Sequence, residues 1–297
     1  MVVTWRGHAH IAACLDALAA QTRPHRTLVV DNASQDGTAL LLAEHPARPE
    51  VLRLARNTGY AGALAAALPR VDTRFVAWLN DDTEPEPDWL ARLEDALLTD
   101  QAAAAAGSRL THQDGTAQSV GVRLTGDGHG ADLTGKPREP FGFCGGAALL
   151  RNDVLAEIGG VAGDFFCYYE DTELSWRLRL AGWRVLAVHA TVRHLHGASA
   201  ELGSASFHRW NERNRLLMLL RCAPARVALG QLARFAAITA LLPVRRAPAA
   251  PNFTVRLRLR VLAEVALRLP GTLRARARVS RHAVLRRTDV WRTWAGS

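Results

Sequence analysis

Polar side chains collect where four apolar segments of the first hundred residues end. The residues at these ends are Thr4, Asp31, Asn57, Asn80, Asp81 and Asp82. Adjacent carboxylates such as Asp81 and Asp82, directly after an apolar run, are costly unless a cation shares the site. A divalent metal that bridges phosphate oxygens would remove that cost, because hard cations prefer carboxylate and phosphate ligands. The cluster therefore predicts a metal and phosphate site, with a solvated, helix-capping loop as the alternative.

A second acidic pair, Glu170 and Asp171, follows an aromatic run at residues 165–169. A carboxylate at the edge of an apolar patch can serve as a general base. Asp171 can also cap the helix that begins there, as carboxylates often do. One residue can fill both roles, so the pair is a candidate for proton transfer.

Two histidines, His194 and His196, follow a predicted strand at residues 183–188. A histidine there can complete a metal site, although an isolated histidine is more often a packed or surface residue. The chain has no GxxxxGK[ST] loop and no GxGxxG segment after its first strand. Carboxylates and a metal, rather than a glycine-rich loop, are therefore expected to hold any nucleotide.

Short apolar runs alternate with helical patterns over the same first hundred residues. The predicted strands are residues 2–5, 27–30, 51–54 and 75–79, and the predicted helices are residues 11–20, 38–43 and 62–67. This βαβα alternation favours an α/β fold with a mostly parallel sheet flanked by helices. Ligands of such sheets bind outside the carboxyl ends of the strands. The alanine run at residues 102–106 fits either a helix end or a buried strand.

The bulk composition fits one large domain, or one domain with an appendage: 297 residues, of which 48% are hydrophobic. Four cysteines without a CxxC pair predict a reducing compartment. No signal peptide is visible. The most apolar stretch, residues 227–244, contains Gln231, Arg234 and Pro243. It is therefore expected to lie on a surface rather than to span a membrane.

The net charge of +9 is divided unevenly along the chain. Residues 1–207 carry 18 basic and 25 acidic side chains, whereas residues 208–297 carry 19 arginines and three carboxylates. A basic tail on an acidic body predicts an anionic partner. The leucines between the arginines suit an anionic membrane surface; they include Leu216, Leu217, Leu219 and Leu220. The alternative is a tail packed on the body with solvated arginines. Nucleic acid is disfavoured, because aromatic residues are few and no known module is present.

Six segments, in order, resemble glycosyltransferase family 2, the large inverting family with the GT-A fold. They read VVDNASQDGT at 29–38, NTGYAGA at 57–63, LNDDT at 79–83 with DWL at 88–90, CGGA at 144–147, YEDTELSWR at 169–177 and HLHGAS at 194–199. The resemblance covers roughly residues 1–215. It implies a Rossmann-like GT-A catalytic domain at residues 1–207, with a nucleotide-sugar half to about residue 105 and an acceptor half beyond it. A basic, amphipathic helical extension follows at residues 208–297.

The resemblance also implies residue roles in donor and metal binding. Asp31 would contact the nucleotide base, and the implied donor-binding residues are Thr4, Asp31, Asn57, Asn80 and Asp81. Asn80 and Asp82 stand at the outer positions of the family's DxD motif. The metal, Mg²⁺ or Mn²⁺, would be held by Asp82 with His194, or with His196 instead.

On the acceptor side, the resemblance implies that Asp171 is the general base, beside Glu170. Gly145, Gly146 and Trp176 would contact the acceptor. The reaction would be a single inverting displacement in which the metal neutralises the departing diphosphate.

The HxHGAS ending and the arginine-rich tail look like those of bacterial rhamnosyltransferases and related cell-wall enzymes. This likeness implies dTDP-rhamnose as the first donor to test, with another nucleotide-diphosphate sugar as the alternative, and a glycan or polyprenyl-linked acceptor. The basic tail and the reducing compartment predict a cytoplasmic, peripheral location at the inner face of the plasma membrane. The alternative function is an inactive nucleotide-sugar-binding partner of another glycosyltransferase.

Overall fold

The structure is a computed structural model that describes residues 1–135, 139–195, 203–244, 248 and 250–296. Its strands are β1 (Val2–Thr4), β2 (Leu28–Asp31), β3 (Glu50–Arg53), β4 (Phe75–Asn80), β5 (Thr83–Pro85), β6 (Ala103–Thr111), β7 (Ala117–Ser119), β8 (Val122–Leu124), β9 (Gly130–Asp132), β10 (Ala147–Arg151) and β11 (Arg184–His194). Its helices are α1 (Ile11–Ala19), α2 (Thr38–Glu44), α3 (Gly59–Ala67), α4 (Trp89–Thr99), α5 (Asn152–Glu157), α6 (Glu170–Leu180), α7 (Ala205–Cys222), α8 (Ala225–Leu241), α9 (Val255–His282) and α10 (Arg287–Trp294).

Nine strands, counted over the described ranges, form one sheet in the order β3–β2–β1–β4–β10–β6–β11–β5, with β7 paired to β6. The first four are parallel, which confirms the arrangement predicted from the βαβα alternation. Val2 and Val3 of β1 are buried at the centre of these four strands. The register sets Thr4 beside Asp31 and Val3 beside Asn80, so the polar residues share the carboxyl edge of the sheet.

The other half of the sheet is mixed. Strand β10 is antiparallel to both β4 and β6, whereas β6 and β11 are parallel. Residues 103–106 of the alanine run, whose structure the sequence left open, belong to β6 and are buried in the clusters that cover the sheet, whereas Ala102 lies in the exposed turn before it. Alanine favours helices in isolation. Here, pairing with strands on both sides and burial override that preference.

Strand β11 continues to His194, although the sequence predicted its end at residue 188. Its pairing with β6 shifts register between Ala187 and Thr191. Beyond the shift, β11 also pairs with β5, and His194 lies opposite Thr83. The histidine therefore belongs to the sheet rather than to the loop that follows it.

The tail helices α7, α8, α9 and α10 pack on the body through a shared apolar cluster. Leu216, Leu217, Leu219 and Leu220 of α7 are buried there, with Phe165 of the body. The prediction that these four leucines face a membrane was wrong, because protein covers each side chain. The predicted division after residue 207 falls inside α7, which begins at Ala205, and the domain division remains a prediction.

Several tail arginines are buried and paired. Arg213 pairs with Glu264 at 3.2 Å, Arg215 with Glu212 at 2.9 Å, and Arg221 with Asp164 at 2.5 Å. These side chains fit the packed-tail alternative. Other arginines on the tail helices are exposed, including Arg226, Arg234, Arg256, Arg274 and Arg278.

One segment of the described chain, Ala225–Val244, is long and apolar enough for a membrane span by length and composition alone. Only 17% of its most apolar window is buried within the protein. The core helix of a soluble protein is mostly buried, so this segment differs from such a helix in its exposure.

Candidate active site

The first feature of the sheet edge is a hydrogen-bonded pair that joins β1 to the end of β4. The Thr4 hydroxyl is fully buried and donates to Asp81 Oδ2 at 2.6 Å. A Cβ on Gly7 would lie 2.0 Å from Thr4 Oγ1 and 2.4 Å from Asp81 Oδ2, so only glycine fits beside the pair. Burial raises the pKa of Asp81 to about 6, against the lowering effect of the Thr4 hydrogen bond. Asp81 thus connects β1 to the end of β4, and its predicted contact with the donor remains a prediction.

Asp82, one residue further, faces a histidine instead. His194 Nε2 lies 3.1 Å from Asp82 Oδ1, and His194 Nδ1 lies 3.0 Å from Gln118 Oε1. Burial would raise the pKa of Asp82, but the hydrogen bond and charge of His194 hold it below its usual range. Asp82 is therefore the more readily ionised carboxylate of the acidic pair.

These side chains suit a divalent cation. Asp82 and His194 supply a carboxylate oxygen and an imidazole nitrogen, which Mn²⁺ and Mg²⁺ sites use together with substrate phosphates. Within the described ranges, no three His, Cys, Asp or Glu side chains converge on one point. If these two side chains held a cation, diphosphate oxygens and water would have to supply its other ligands. The alternative ligand His196 lies outside the described residues.

The base-binding end of the predicted donor site lies around Asp31, which is fully buried. Asp31 Oδ1 accepts a hydrogen bond from Ser34 N at 2.9 Å. Asp31 Oδ2 has no hydrogen-bond partner, although Arg53 Nη1 lies 3.2 Å away, since the guanidinium is poorly aligned with it. A buried carboxylate oxygen without a partner can accept a hydrogen bond from a ligand N–H.

Asn57 lies beside this end and shapes the start of α3. Its Oδ1 accepts from Gly59 N at 2.8 Å and from Asn32 Nδ2 at 3.0 Å. Asn32 also accepts from Thr58 N at 2.8 Å, so the two asparagines fix the loop between β3 and α3. The predicted contact between Asn57 and the donor remains a prediction.

The second acidic pair lies at the start of α6. Asp171 Oδ2 accepts from Gly145 N at 2.9 Å, and its Oδ1 accepts from Thr172 N at 2.5 Å and Thr172 Oγ1 at 3.0 Å. Burial raises the pKa of Asp171 despite these hydrogen bonds. Burial and the adjacent Asp171 charge also raise the pKa of Glu170, whose Oε2 is buried without a hydrogen-bond partner.

The glycine loop joins the two acidic pairs. The carbonyl of Gly146 accepts from Asn80 N at 3.0 Å, while Gly145 N donates to Asp171. A Cβ on Gly146 would lie 3.5 Å from Asn80 Nδ2. Tyr60 OH donates to the carbonyl of Gly145 at 2.8 Å. The structure thus brings Gly145, Gly146, Asn80 and Asp171 together, as the predicted site requires.

The predicted role of Trp176 is wrong. This residue was expected to contact the acceptor, but its side chain is fully buried, stacked on Trp291 with ring centroids 5.9 Å apart and edge-on to Phe141. It lies on the face of α6 that meets the tail helices, so it has no surface to offer an acceptor.

Three residues of the site carried no role in the sequence reading. Tyr60 lies in the NTGYAGA segment, between Gly59 and Gly62. A tyrosine hydroxyl within a glycine-rich segment was the signal that could have identified it. Gln118 and Asn214 had no signal, because their partners are distant in sequence: Gln118 contacts His194 and Asn214 contacts the backbone before Glu170.

Known proteins resemble this chain in sequence. The profile of the family Glycosyl transferase family 2 matches residues 1–159, more than half of the chain. The N-acetylglucosaminyl-diphospho-decaprenol L-rhamnosyltransferase of Mycobacterium tuberculosis is 27% identical over 217 residues, covering 62% of this chain and 70% of that protein. The O-antigen biosynthesis protein RfbC of Myxococcus xanthus is 28% identical over 206 residues, covering 63% of this chain and 16% of that protein.

Solved structures share the fold. GalNAc-T7 with UDP, GalNAc and Mn²⁺ superposes with a TM-score of 0.62 at 11% identity, covering 91% of this chain and 56% of that one. The mannosyltransferase PcManGT of Pyrobaculum calidifontis, in complex with GDP-Man and Mn²⁺, gives 0.56 at 18% identity, covering 95% and 84%. The family match and the shared architecture agree with the geometry of the site. The chain therefore belongs to glycosyltransferase family 2, has the GT-A fold and is a glycosyltransferase.

Proposed function

We propose that the chain transfers a sugar from a nucleotide diphosphate to an acceptor hydroxyl, with inversion, and that Asp171 is the general base. The observation that carries this proposal is the hydrogen bond from Gly145 N to Asp171 Oδ2, at 2.9 Å. Through the next residue, Gly146, the same loop reaches Asn80 at the donor edge. The proposed base and the donor edge are therefore joined by two consecutive residues of one loop, which supports a direct displacement between them.

The surroundings of the acidic pair favour Asp171 over Glu170 as the base. Two adjacent carboxylates in a buried site do not both ionise readily. Three hydrogen bonds favour the charged form of Asp171, whereas Glu170 Oε2 receives none. Glu170 is therefore the protonated member of the pair near neutral pH. Asp171 takes the proton of the acceptor hydroxyl, whose oxygen bonds to the anomeric carbon as the bond to the diphosphate breaks.

Asp82 and His194 are the proposed metal ligands. A bound Mg²⁺ or Mn²⁺ would supply positive charge that stabilises the departing diphosphate. The Thr4–Asp81 hydrogen bond and the Gln118–His194 contact orient these strands and the imidazole. Such supporting contacts commonly set the affinity of a metal site.

The donor proposed first is dTDP-rhamnose, with a polyprenyl-diphosphate-linked N-acetylglucosamine as acceptor. The M. tuberculosis rhamnosyltransferase supports this choice, since it is 27% identical over 217 residues. Asp31 Oδ2, which receives no hydrogen bond within the protein but has Arg53 Nη1 3.2 Å away, fits the base of such a donor, because thymine and uracil both carry a ring N–H that can donate to a carboxylate.

A donor panel tests this proposal. Release of nucleoside diphosphate is measured from dTDP-rhamnose and from UDP- and GDP-sugars, with a synthetic N-acetylglucosaminyl-diphospho-prenol as acceptor. We expect Mn²⁺- or Mg²⁺-dependent release from dTDP-rhamnose that increases with acceptor. Equal release from another donor would reject the proposed sugar. Donor binding with no turnover of any donor would favour the alternative, a nucleotide-sugar-binding partner of another glycosyltransferase.

We also propose that the chain works at the cytoplasmic membrane surface, through the exposed faces of α8 and α9. Exposed leucine and arginine side chains are interspersed along α9. They include Arg256, Leu259, Arg260, Leu267, Leu273, Arg274, Arg278 and Arg281. Leu267 is 79% exposed and Leu273 is 52% exposed. Such a face combines apolar insertion with attraction to anionic lipid.

Replacing Leu267 and Leu273 together by glutamine is expected to weaken binding to phosphatidylglycerol-containing vesicles about tenfold, because partial insertion of two leucines contributes about 1.4 kcal/mol. Vesicle co-sedimentation measures the effect. Leu40→Gln is the matched control, because Leu40 lies on α2 of the body and is 64% exposed. Wild-type binding by the double variant would contradict the proposal.

A further inference from the structure

The segment that precedes the acidic pair adopts conformations that cost free energy. Phe166, Tyr168 and Tyr169 have φ angles of 69°, 69° and 70°, which residues other than glycine rarely adopt. Phe166, with ψ of −68°, forms a γ-turn closed by a hydrogen bond from Cys167 N to Phe165 O at 2.9 Å. Conformations of this kind persist only where the surroundings hold them. The segment 165–169, here called the base loop, therefore needs an external support.

Asn214 of α7 provides hydrogen bonds to most of the base loop. It is fully buried, and its Nδ2 lies within hydrogen-bonding distance of three backbone carbonyls. These are Phe165 O at 2.9 Å, Cys167 O at 2.8 Å and Tyr168 O at 2.8 Å. An amide has two N–H donors, which the three carbonyls share. Asn214 thus bonds the carbonyls of Cys167 and Tyr168 and adds a second donor at Phe165 O, which the γ-turn already pairs.

A charged side chain orients this amide. Arg213 Nε donates to Asn214 Oδ1 at 2.9 Å, and Arg213 Nη2 donates to Phe165 O at 2.5 Å. Arg213 is itself held by Glu264 of α9, whose Oε2 accepts from Nη1 at 3.2 Å. A continuous chain of hydrogen bonds therefore runs from α9 through α7 to the base loop.

The other side of the base loop contacts the donor half. The carbonyl of Phe166 accepts from Ala61 N of α3 at 3.0 Å. A Cβ on Gly59 would lie 2.1 Å from the same carbonyl, so the two backbones are in close contact. The base loop is thus enclosed between the start of α3 and the tail helices, and Asp171 follows it by two residues.

We propose that Asn214, oriented by Arg213 and Glu264, is a positioning residue that holds the base loop so that Asp171 faces the acceptor. The inference rests on the proposed role of Asp171 as the base. It assigns the basic tail a part in catalysis that is separate from any membrane contact. In this proposal Arg213 acts through the backbone of the base loop and contacts neither substrate nor metal.

Asn214→Ala and Asn211→Ala form a matched pair for the test. Asn211 lies one turn earlier on α7, and its amide bonds only Phe207 O of its own helix among the contacts described. Hydrogen–deuterium exchange of residues 165–173 is followed in the full chain without substrate. We expect at least tenfold faster exchange in Asn214→Ala, as local opening would give, and wild-type exchange in Asn211→Ala.

The kinetic readout is the pH profile of kcat, with the donor that wild type turns over. We expect kcat to fall about 10–100-fold in Asn214→Ala with little change in donor KM, since small displacements of a catalytic group have effects of this size. The acid limb should move to higher pH, because a displaced Asp171 loses the Gly145 hydrogen bond that favours its charged form. A smaller fraction of folded enzyme would instead lower the rate equally at every pH and leave the shape of the pH profile unchanged.

Wild-type exchange and an unchanged pH profile in folded Asn214→Ala would overturn the inference. If that variant does not fold, Glu264→Gln is judged by the same two measurements, since it removes the charge that holds Arg213. Failure of the proposed function looks different, because Asp171→Asn would then remain active whatever the exchange shows. If exchange is fast in Asn214→Ala while Asp171→Asn stays active, then Asn214 supports the base loop, but the loop positions a catalytic residue other than Asp171.

Discussion

Asp171→Asn is expected to lower kcat about 10²–10⁴-fold, the range that a general base contributes. The asparagine keeps the shape of the side chain and can still accept a hydrogen bond from Gly145 N, but it cannot take the acceptor proton. Donor affinity should be unchanged, because Asp171 bonds Gly145 of the glycine loop, whereas Asn80 of the donor edge bonds Gly146. Steady-state kinetics with the donor identified by the panel, together with calorimetric binding of the donor, measure the two effects.

Glu170→Gln is the discriminating control for this result. If Glu170 is protonated near neutral pH, glutamine closely imitates it, and kcat should stay within about tenfold of wild type, well short of the effect of losing a general base. Asp95→Asn is a second control, since Asp95 pairs with Arg23 at the exposed surface of α4. A larger loss of kcat in Glu170→Gln than in Asp171→Asn would show that Glu170 is the general base and Asp171 its neighbour.

The pH dependence follows from the same assignment. The base must be deprotonated, so activity is lost as pH falls through the pKa of Asp171. Burial raises that pKa above the usual range of an aspartate. The acid limb of the kcat profile should therefore lie above about pH 4, where an unperturbed aspartate titrates. An acid limb at or below that pH would contradict the assignment.

The second large effect is expected from Asp82→Asn. A metal that stabilises a leaving diphosphate contributes several kcal/mol, so loss of its carboxylate ligand should lower kcat/KM about 100-fold or more. His194→Gln should raise the Mn²⁺ concentration needed for half-maximal rate, and excess Mn²⁺ should restore part of the activity. Initial rates across a Mn²⁺ titration, with EDTA-treated enzyme as the zero point, measure both.

Asp88→Asn is the control for these variants. Asp88 lies shortly after β5 and pairs with Arg92 at the surface, so its loss should leave the Mn²⁺ titration unchanged. Thermal unfolding of Asp82→Asn shows whether the loss of the His194 contact destabilises the fold instead. A wild-type rate in folded Asp82→Asn, or activity that EDTA does not reduce, would exclude Asp82 as a metal ligand.

Local patterns in the sequence were sufficient to predict the donor half. Strands β1, β2, β3 and β4 are short apolar runs separated by helical periodicity, and each was predicted to within about two residues, the usual margin for element boundaries. Their parallel arrangement follows from the crossover helices between them. The polar residues that follow such strands must then lie at one edge. For this reason the sequence alone predicts that Thr4, Asp31 and Asn80 lie close together.

Pairing between strands that are distant in sequence brings His194 to the carboxyl edge of the sheet. Strand β10 inserts antiparallel between β4 and β6, and β11 continues past a register shift to pair with β5. Neither step is encoded by periodicity within one segment. His194 therefore meets Asp82 through two strands that are more than a hundred residues apart in sequence.

The sequence by itself determined the family, the acidic pairs, the glycine loop and the charge division between body and tail, since each depends on residue types at short spacing. The tertiary structure decided which apolar and charged faces meet. Helix periodicity shows that Trp176 and the α7 leucines need cover, but it does not specify whether protein, acceptor or lipid supplies it. Packing of α6 against α7 and α10 buried them in protein and placed Asn214 under the base loop. Burial depends on which surfaces fit together in three dimensions, and sequence spacing carries no such information.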